Sequence, residues 1–466
     1  MRGDVARRGV LALVLLGLLA LGASAQGLDG EALGHEAVGW LSRYLQIDTT
    51  NPPGNETQAA EFFKAIFDRE GIEARIIESA PGRGSVWARL KGDGSKKAVV
   101  LLNHLDVVPA DKRYWSEDPF GGAVKDGYVW GRGALDMKGM GILELMAMLA
   151  LKRTRVALKA DVIFLGTADE EMGGRLGAGF IVDKHPDLVK DAGVVLNEGG
   201  AIALQGGRPR FFAIAISEKV PFTLKLIATG TPGHGSVPRP DSAVNKLIAA
   251  LHRITNYQTP ITVLPEVQSF YAEIADTLPS PARERLRDLR TSLQDPAFAT
   301  QFARDLSGNA RVRNTISVTM LEGSNKVNVI PPEGSAQLDV RLLPGEDPQA
   351  FLDELRKVIA DDSIKIEPRR LLAAGSSPAS HELFAIIADL AKTHDPDPRV
   401  TTPLLTGATD CRYFRPRGVP CYGFIPFKLT REDFVSVHGN NERVSVENVK
   451  FGTRMLSDIV KRLAAE

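Results

Sequence analysis

Short apolar runs that end abruptly in polar chemistry recur along this chain. Ala98-Val99-Val100-Leu101-Leu102 is branched and unbroken, and Asn103-His104-Leu105-Asp106 follows it directly. A run without polar alternation predicts a strand buried on both faces, so His104 and Asp106 stand at its carboxyl end. The run from Asp161 to Ala168 passes into Asp169-Glu170-Glu171, and Gly193 to Leu196 passes into Asn197-Glu198-Gly199-Gly200. In open α/β sheets, ligands bind beyond the carboxyl ends of the strands. Three strands are therefore expected to deliver an imidazole and several carboxylates to one edge.

The remaining pattern fills in a layered fold. Leu33, Val38, Leu41 and Leu45 keep helical spacing, as do Phe62, Phe63, Ile66 and Phe67 ahead of Gly71, a residue suited to ending a helix. Strands are predicted over 72–77 and 85–90, and a helix over 138–152 after the glycine-rich turn Gly131 to Gly139. Strands alternating with helices predict a three-layer α/β unit. Near Ser217 the pattern changes: 221–228, 315–320 and 334–342 alternate in the manner of half-exposed strands, with helices from about Ser242 and over 349–360. These make an α+β unit inserted into the larger one, which resumes near His381 and closes with a helix from Val446. Residues 260–312 carry polar helical patterns and no chemical motif. The expected organisation is a larger domain at 26–217 and 372–466, with an inserted domain at 218–371.

Residues 1–25 are set apart. Arg2, Arg7 and Arg8 precede an apolar run from Val10 to Leu21, and Ala23-Ser24-Ala25 fits a small-residue cleavage site, which predicts a signal peptide and a secreted or periplasmic protein. An uncleaved membrane anchor is the alternative. In such a compartment Cys411 and Cys421, the only cysteines, form either a local disulfide or two buried thiols. Lys plus Arg and Asp plus Glu number 57 each, so no net field exists to steer nucleic acid or an anionic membrane. A binding site here must be local.

Singly, each polar residue has an ordinary structural role open to it. Asp136 could cap a helix or form a turn, 169–171 could be a solvated acidic loop, and His104 could be a hydrogen-bonded core histidine. Together, His104, Asp136, Glu171 and Glu198 would need four separate explanations for standing at strand ends or in a glycine turn. A mixed imidazole and carboxylate set suits Zn²⁺ or another borderline divalent ion. Of the eight histidines, His35, His185, His252, His381 and His394 lie in helical or loop contexts without partner signals, and His438 in Val437-His438-Gly439 is the candidate second imidazole. Two histidines with three or four carboxylates exceed the needs of one tetrahedral ion, whereas two ions sharing a bridging carboxylate use them all.

His104-Leu105-Asp106-Val107-Val108-Pro109, the Gly131 to Gly139 turn, Asp169-Glu170-Glu171 and His438 together resemble the signature set of the zinc metallopeptidase family that includes aminoacylase, carboxypeptidase G, succinyl-diaminopimelate desuccinylase and carboxypeptidase S. Asp410-Cys411-Arg412-Tyr413-Phe414 and Phe434 to Gly439 look nearest the carboxypeptidase S branch, which also holds secreted hydrolases of N-fatty-acyl amino acids. The resemblance implies two zinc ions, or cobalt or manganese in their place. His104, Asp136 and Glu198 would hold one, and Asp136, Glu171 and His438 the other. It implies Glu170 as general base, Asp106 as the group orienting His104, and His234 of Gly233-His234-Gly235-Ser236 as the oxyanion-stabilising residue, acting in cis or from a partner subunit. Asn328, Arg341, Gly407 and Thr409 match substrate-binding positions, although Arg341 could equally pair with Asp339. The expected reaction is hydrolysis of a peptide or N-acyl amide bond next to a free carboxylate. The alternatives are an N-fatty-acyl amino acid hydrolase/synthase and a catalytically silent zinc-binding homologue; a two-metal phosphoesterase would need a basic clamp that the pattern lacks. The expected partners are a small peptide or N-acyl amino acid and no nucleic acid. A homodimer through the inserted domain is a further expectation, which the 260–312 insert could obstruct.

Overall fold

The computed structural model describes residues 29–372 and 375–466. The signal-peptide expectation at 1–25 lies outside them. Among the described residues, no helix is long and apolar enough to cross a membrane.

The larger unit is built on a six-stranded sheet in the order Glu73–Glu78, Gly84–Leu90, Ala160–Thr167, Lys96–His104, Ala192–Asn197, Cys421–Gly423. The last four strands run parallel, so the ends that follow Thr167, His104 and Asn197 share one edge. Every residue of Ala160–Thr167 is buried, as expected of a strand covered on both faces. One face carries Gly30–Leu45, Glu56–Arg69, Lys138–Thr154 and Val446–Ala465 over a core that includes Leu41, Phe63, Leu101, Phe164 and Met455. The opposite face packs Val100, Leu102, Ile163 and Leu165 against Ile181, Cys411 and Phe414. Close approach demands a glycine in the central helix, where a Cβ at Gly141 would stand 2.9 Å from Asn103 Oδ1.

The inserted unit has an antiparallel sheet in the order Thr315–Glu322, Glu333–Leu342, Val220–Thr229, Ile364–Leu371. Phe222, Leu224, Leu226, Leu338 and Val340 cover one face with helices Ala243–Asn256 and Pro348–Ile359. Ser242 caps the first helix by accepting from Asn245 N, and Asp347 caps the second ahead of Pro348. The fourth strand, Ile364–Leu371, adds to the three elements predicted from alternation. The 260–312 region folds as five short helices between Pro265 and Arg311, with a small core of Val267, Tyr271, Phe302 and Val312 packed on Leu343 and Leu404.

Candidate metal centre and substrate cavity

His104 ends its strand with both ring nitrogens committed. Nδ1 lies 2.9 Å from the backbone carbonyl oxygen of Asp106, which can only accept, so Nδ1 carries the proton and Nε2 presents a lone pair. That lone pair faces Asp136 Oδ1 at 3.0 Å and Glu198 Oε1 at 3.9 Å. On the other side, His438 Nε2 stands 3.0 Å from Asp136 Oδ2 and 3.3 Å from Glu171 Oε1. Asp136 thus offers one oxygen to each imidazole. Acceptors come this close only with a proton or a cation between them, and Glu171 Oε1 is buried without a hydrogen-bond partner. The donor set fits divalent ions: ligand atoms of His104, Asp136 and Glu171, and of His104, Glu170 and Glu198, lie within 4.8 Å of one another.

The electrostatics agree with that fit. Burial, reinforced by Asp136, drives Glu198 well above the usual carboxylate range. Burial also lifts Glu171 to about 7 despite His438. Although burial works against the Asp136 charge, the two imidazoles beside it hold its pKa low, and the carboxylates raise His438 to about 10. Carboxylates crowded in this way repel one another until positive charge is supplied.

Neighbouring groups fix these donor residues in place. Glu442 is wholly buried and accepts from the backbone N–H groups of Gly133, Leu135 and Asp136 and from Arg132 Nη1. The glycine turn is thereby wrapped round one carboxylate. The Asp106 carboxylate lies 3.5 Å from His104 Nδ1, and its own backbone carbonyl is the nearer acceptor at 2.9 Å. The carboxylate also accepts from Glu170 N, Glu171 N and Asn51 Nδ2, so it sets the turn that carries both acids. Glu170 Oε1 accepts from Arg412 Nη2 at 2.6 Å, and Arg412 also reaches Asp410 Oδ1 at 3.4 Å. Burial raises Glu170 above the ordinary carboxylate value, and Arg412 opposes the rise. Cys411 and Cys421 form a disulfide that ties the Arg412 segment to the last strand of the sheet.

The centre opens into a cavity of about 1140 Å³. One wall is apolar, with Phe211 and Leu405 from the larger unit facing Phe270 and Ile274 from the 260–312 helices. Another is polar, with Thr223, Asp339, Arg341 and Arg370 from the inserted sheet. Gly407 and Thr409 line it as well, but the Thr409 hydroxyl donates to Glu218 Oε2. Arg341 is held by Asp339 through Nε at 2.7 Å and Nη2 at 3.1 Å. His234 and Asn328 are not among the lining residues; both are exposed, side by side on the inserted unit, where Gly235 N donates to the Asn328 carbonyl. Arg412, Glu442, Arg370 and the two apolar residues of the insert were not singled out by sequence. Only the arginine of the Asp-Cys-Arg segment had a local signal, its place in a resembling motif.

Residues 100–462 match the profile of peptidase family M20/M25/M40. The chain belongs to the M20 peptidase family. It is 30% identical over 435 residues to the N-fatty-acyl-amino acid synthase/hydrolase PM20D1 of Bos taurus, spanning 87% of this chain and 83% of that one. It is 29% identical over 434 residues to human Aminoacylase-1, spanning 89% and 93%. In fold, this M20 protein is similar to the M20 family metallo-carboxypeptidase Sso-CP2 from Sulfolobus solfataricus, with a TM-score of 0.69 at 19% identity over 91% of this chain and 98% of that one. It is also similar to human carnosine dipeptidase 1, with a TM-score of 0.69 at 17% identity over 92% and 96%. As a member of the family it is a hydrolase acting on amide bonds, built as an α/β catalytic unit with an inserted α+β unit.

Proposed function

We propose that this M20 hydrolase is a co-catalytic zinc enzyme that cleaves the N-acyl amide of an amino acid, with peptides as the related substrate class. The observation that carries the reading is the opposition of His104 and His438 across the two oxygens of Asp136, at the floor of a cavity with an apolar wall. His104, Asp136 and Glu198 hold one ion, and Asp136, Glu171 and His438 the other. Bound divalent ions lower the pKa of water and polarise a carbonyl oxygen. Glu170, seated beside the ligands, removes the proton from the attacking water and returns it to the leaving amine. Arg412 keeps Glu170 oriented while it is charged. The apolar wall favours a long acyl chain, in keeping with the name of the PM20D1 relative, and hydrolysis and condensation of N-fatty-acyl amino acids form the finer reading of the same site.

The proposal extends to the chain as a whole. A signal peptide at 1–25 directs the enzyme out of the cytoplasm, and the inserted domain at 218–371 divides a catalytic domain at 26–217 and 372–466. His234 and Asn328, exposed and outside the cavity, act on the cavity of a partner subunit in a homodimer. The test is hydrolysis of a panel of N-acyl amino acids and dipeptides before and after chelation, with zinc, cobalt or manganese added back. Release of free amino acid that stops on chelation and returns with metal is expected. Glu170→Gln should lose at least about a hundredfold in kcat while its metal content stays that of the wild type; near-normal turnover would remove Glu170 from the mechanism.

A further inference from the structure

The turn that carries Glu170 and Glu171 is held at almost every amide. After the strand Ala160–Thr167, Asp169 adopts a left-handed conformation with a φ of +71°, and Gly173 and Gly174 follow at +100° and +70°. Glycine accepts that conformation freely, whereas an aspartate keeps it only where its surroundings compensate. Here they do. Glu56 Oε1 accepts from Asp169 N at 3.2 Å, the Asp106 carboxylate accepts from Glu170 N and Glu171 N at 3.1 Å each, and the Asp169 carbonyl accepts from Met172 N and Gly174 N. The Asp169 side chain closes the far end, with Oδ2 accepting from Leu176 N at 2.9 Å.

Asp169 is itself gripped from outside the turn. Its Oδ1 accepts from Arg83 Nη2 at 3.1 Å, and Arg83 is bound by Glu56 through Nε and Nη2, both at 2.7 Å. Glu56 is wholly buried and Asp169 is 5% exposed. The guanidinium lies on the backbone of Gly54, where a Cβ would stand 2.5 Å from Cζ, so a side chain at 54 would push Arg83 away from the two acids. Gly54 and Glu56 belong to the loop 51–56, and the same loop supplies Asn51, whose Nδ2 donates to Asp106 Oδ2 at 2.8 Å. One loop thus supplies one carboxylate that accepts the turn's amides and steadies the other. A buried cluster of two acids and one arginine adds little to stability over apolar packing. What it does add is a fixed backbone immediately before Glu170.

We propose that Glu56, Arg83 and Asp169 form a positioning device for Glu170, fixing its turn so that the carboxylate meets the attacking water. The proposal rests on the amidohydrolase reading and names three residues outside the metal and base assignments. Arg412 holds the end of the Glu170 side chain, and the Glu56–Arg83–Asp169 cluster holds its backbone. None of the three lines the cavity, so their effect on turnover passes through the turn and leaves substrate binding to the cavity walls.

The test uses the zinc-loaded enzyme with N-octanoyl-leucine. Arg83→Met should lower kcat about 10- to 100-fold, with KM within about threefold of wild type and zinc content unchanged, as expected when a reacting group is misplaced. Arg83→Lys should recover part of the loss, because it keeps the charge without the planar fork that spans both acids. Asp169→Gly separates side chain from backbone. Glycine suits the left-handed conformation, so a turn that needed only its backbone would keep wild-type kcat, whereas the proposal expects a loss similar to that of Arg83→Met. In a Glu170→Gln background, Arg83→Met should cost no more than about a further twofold, since both changes act through one group. The proposal is overturned if Arg83→Met or Asp169→Gly keeps wild-type kcat, if the losses from Arg83→Met and Glu170→Gln multiply, or if Arg83→Met acts only by raising KM or shedding zinc. Asp169→Gly carries the same comparisons if Arg83→Met does not fold. Failure of the amidohydrolase reading has a different signature, in which the wild type does not cleave N-octanoyl-leucine at all. Hydrogen exchange across residues 168–176 then decides the positioning role by itself: faster exchange confined to that turn in Arg83→Met supports it, and exchange equal to wild type overturns it.

Discussion

Lys219 is 1% exposed and has no carboxylate within ion-pair reach among the described residues. Its ammonium donates to the Arg313 carbonyl at 2.8 Å and to Thr315 Oγ1 at 3.0 Å, joining the start of one strand to the start of its sheet's edge strand. Burial lowers its pKa to about 7, with Arg341 adding to the effect and Asp339 opposing it. The folded state thus holds fewer protons than the unfolded chain between pH 7 and the free-lysine value near 10.4, so this residue makes stability rise with pH across that window, by about 5 kcal/mol at most. Lys219→Met removes the titration. Urea unfolding from pH 6.5 to 9.5 should give the wild type a steeper gain with pH than the variant, and parallel curves would refute the buried charge. A lysine of this kind is invisible in sequence, because its burial depends on strands more than ninety residues away. Arg412 escapes for the same reason: its contact with Glu170 spans 242 positions. His104, Glu171 and Glu198 were legible because each lies within three residues of the end of an apolar run, and the run fixes where the chain emerges.

At the scale of elements, the parallel strands were readable because burial on both faces leaves no polar interruption. Ile364–Leu371 was not. It is an edge strand whose Lys365, Glu367, Arg369 and Pro368 obscure the alternation of Ile364 and Ile366, and proline is tolerated there because an edge leaves N–H groups unpaired. The 260–312 helices were equally silent. Their apolar residues serve a small core of their own, and only the fold turns Phe270 and Ile274 towards the cavity. On the proposed N-acyl reading, that placement makes the insert a determinant of acyl length. Ile274→Trp fills the apolar arm without touching the metal ligands, so it should lower kcat/KM for an N-octanoyl substrate by at least about tenfold and leave the N-acetyl analogue close to wild type. An equal loss on both substrates would place the acyl chain elsewhere.

Across the whole molecule, the cavity lies where the two units meet, and its floor gathers several buried carboxylates. Asp136, Glu170, Glu171 and Glu198 are gathered at one sheet edge with two imidazoles and a single buried arginine to balance them. Burial makes this arrangement costly without added cations. A metal bound there would stabilise the folded state by linkage, by about 2.7 kcal/mol for each occupied site at a free concentration a hundred times its Kd. Chelation should lower the thermal midpoint accordingly. Glu198→Gln separates repulsion from ligation, since it removes one negative charge and weakens one ion's site while nearly keeping the shape. Without metal, the variant should melt at or above the temperature of the metal-free wild type, because the repulsion has been relieved. With saturating zinc the order should reverse, as the wild type gains more from the ions than the variant can. Differential scanning calorimetry on both proteins, with and without metal, reads the four midpoints. Equal metal-induced gains would mean that Glu198 is not a ligand, and a metal-free variant less stable than metal-free wild type would mean that the crowded acids are not the source of the instability.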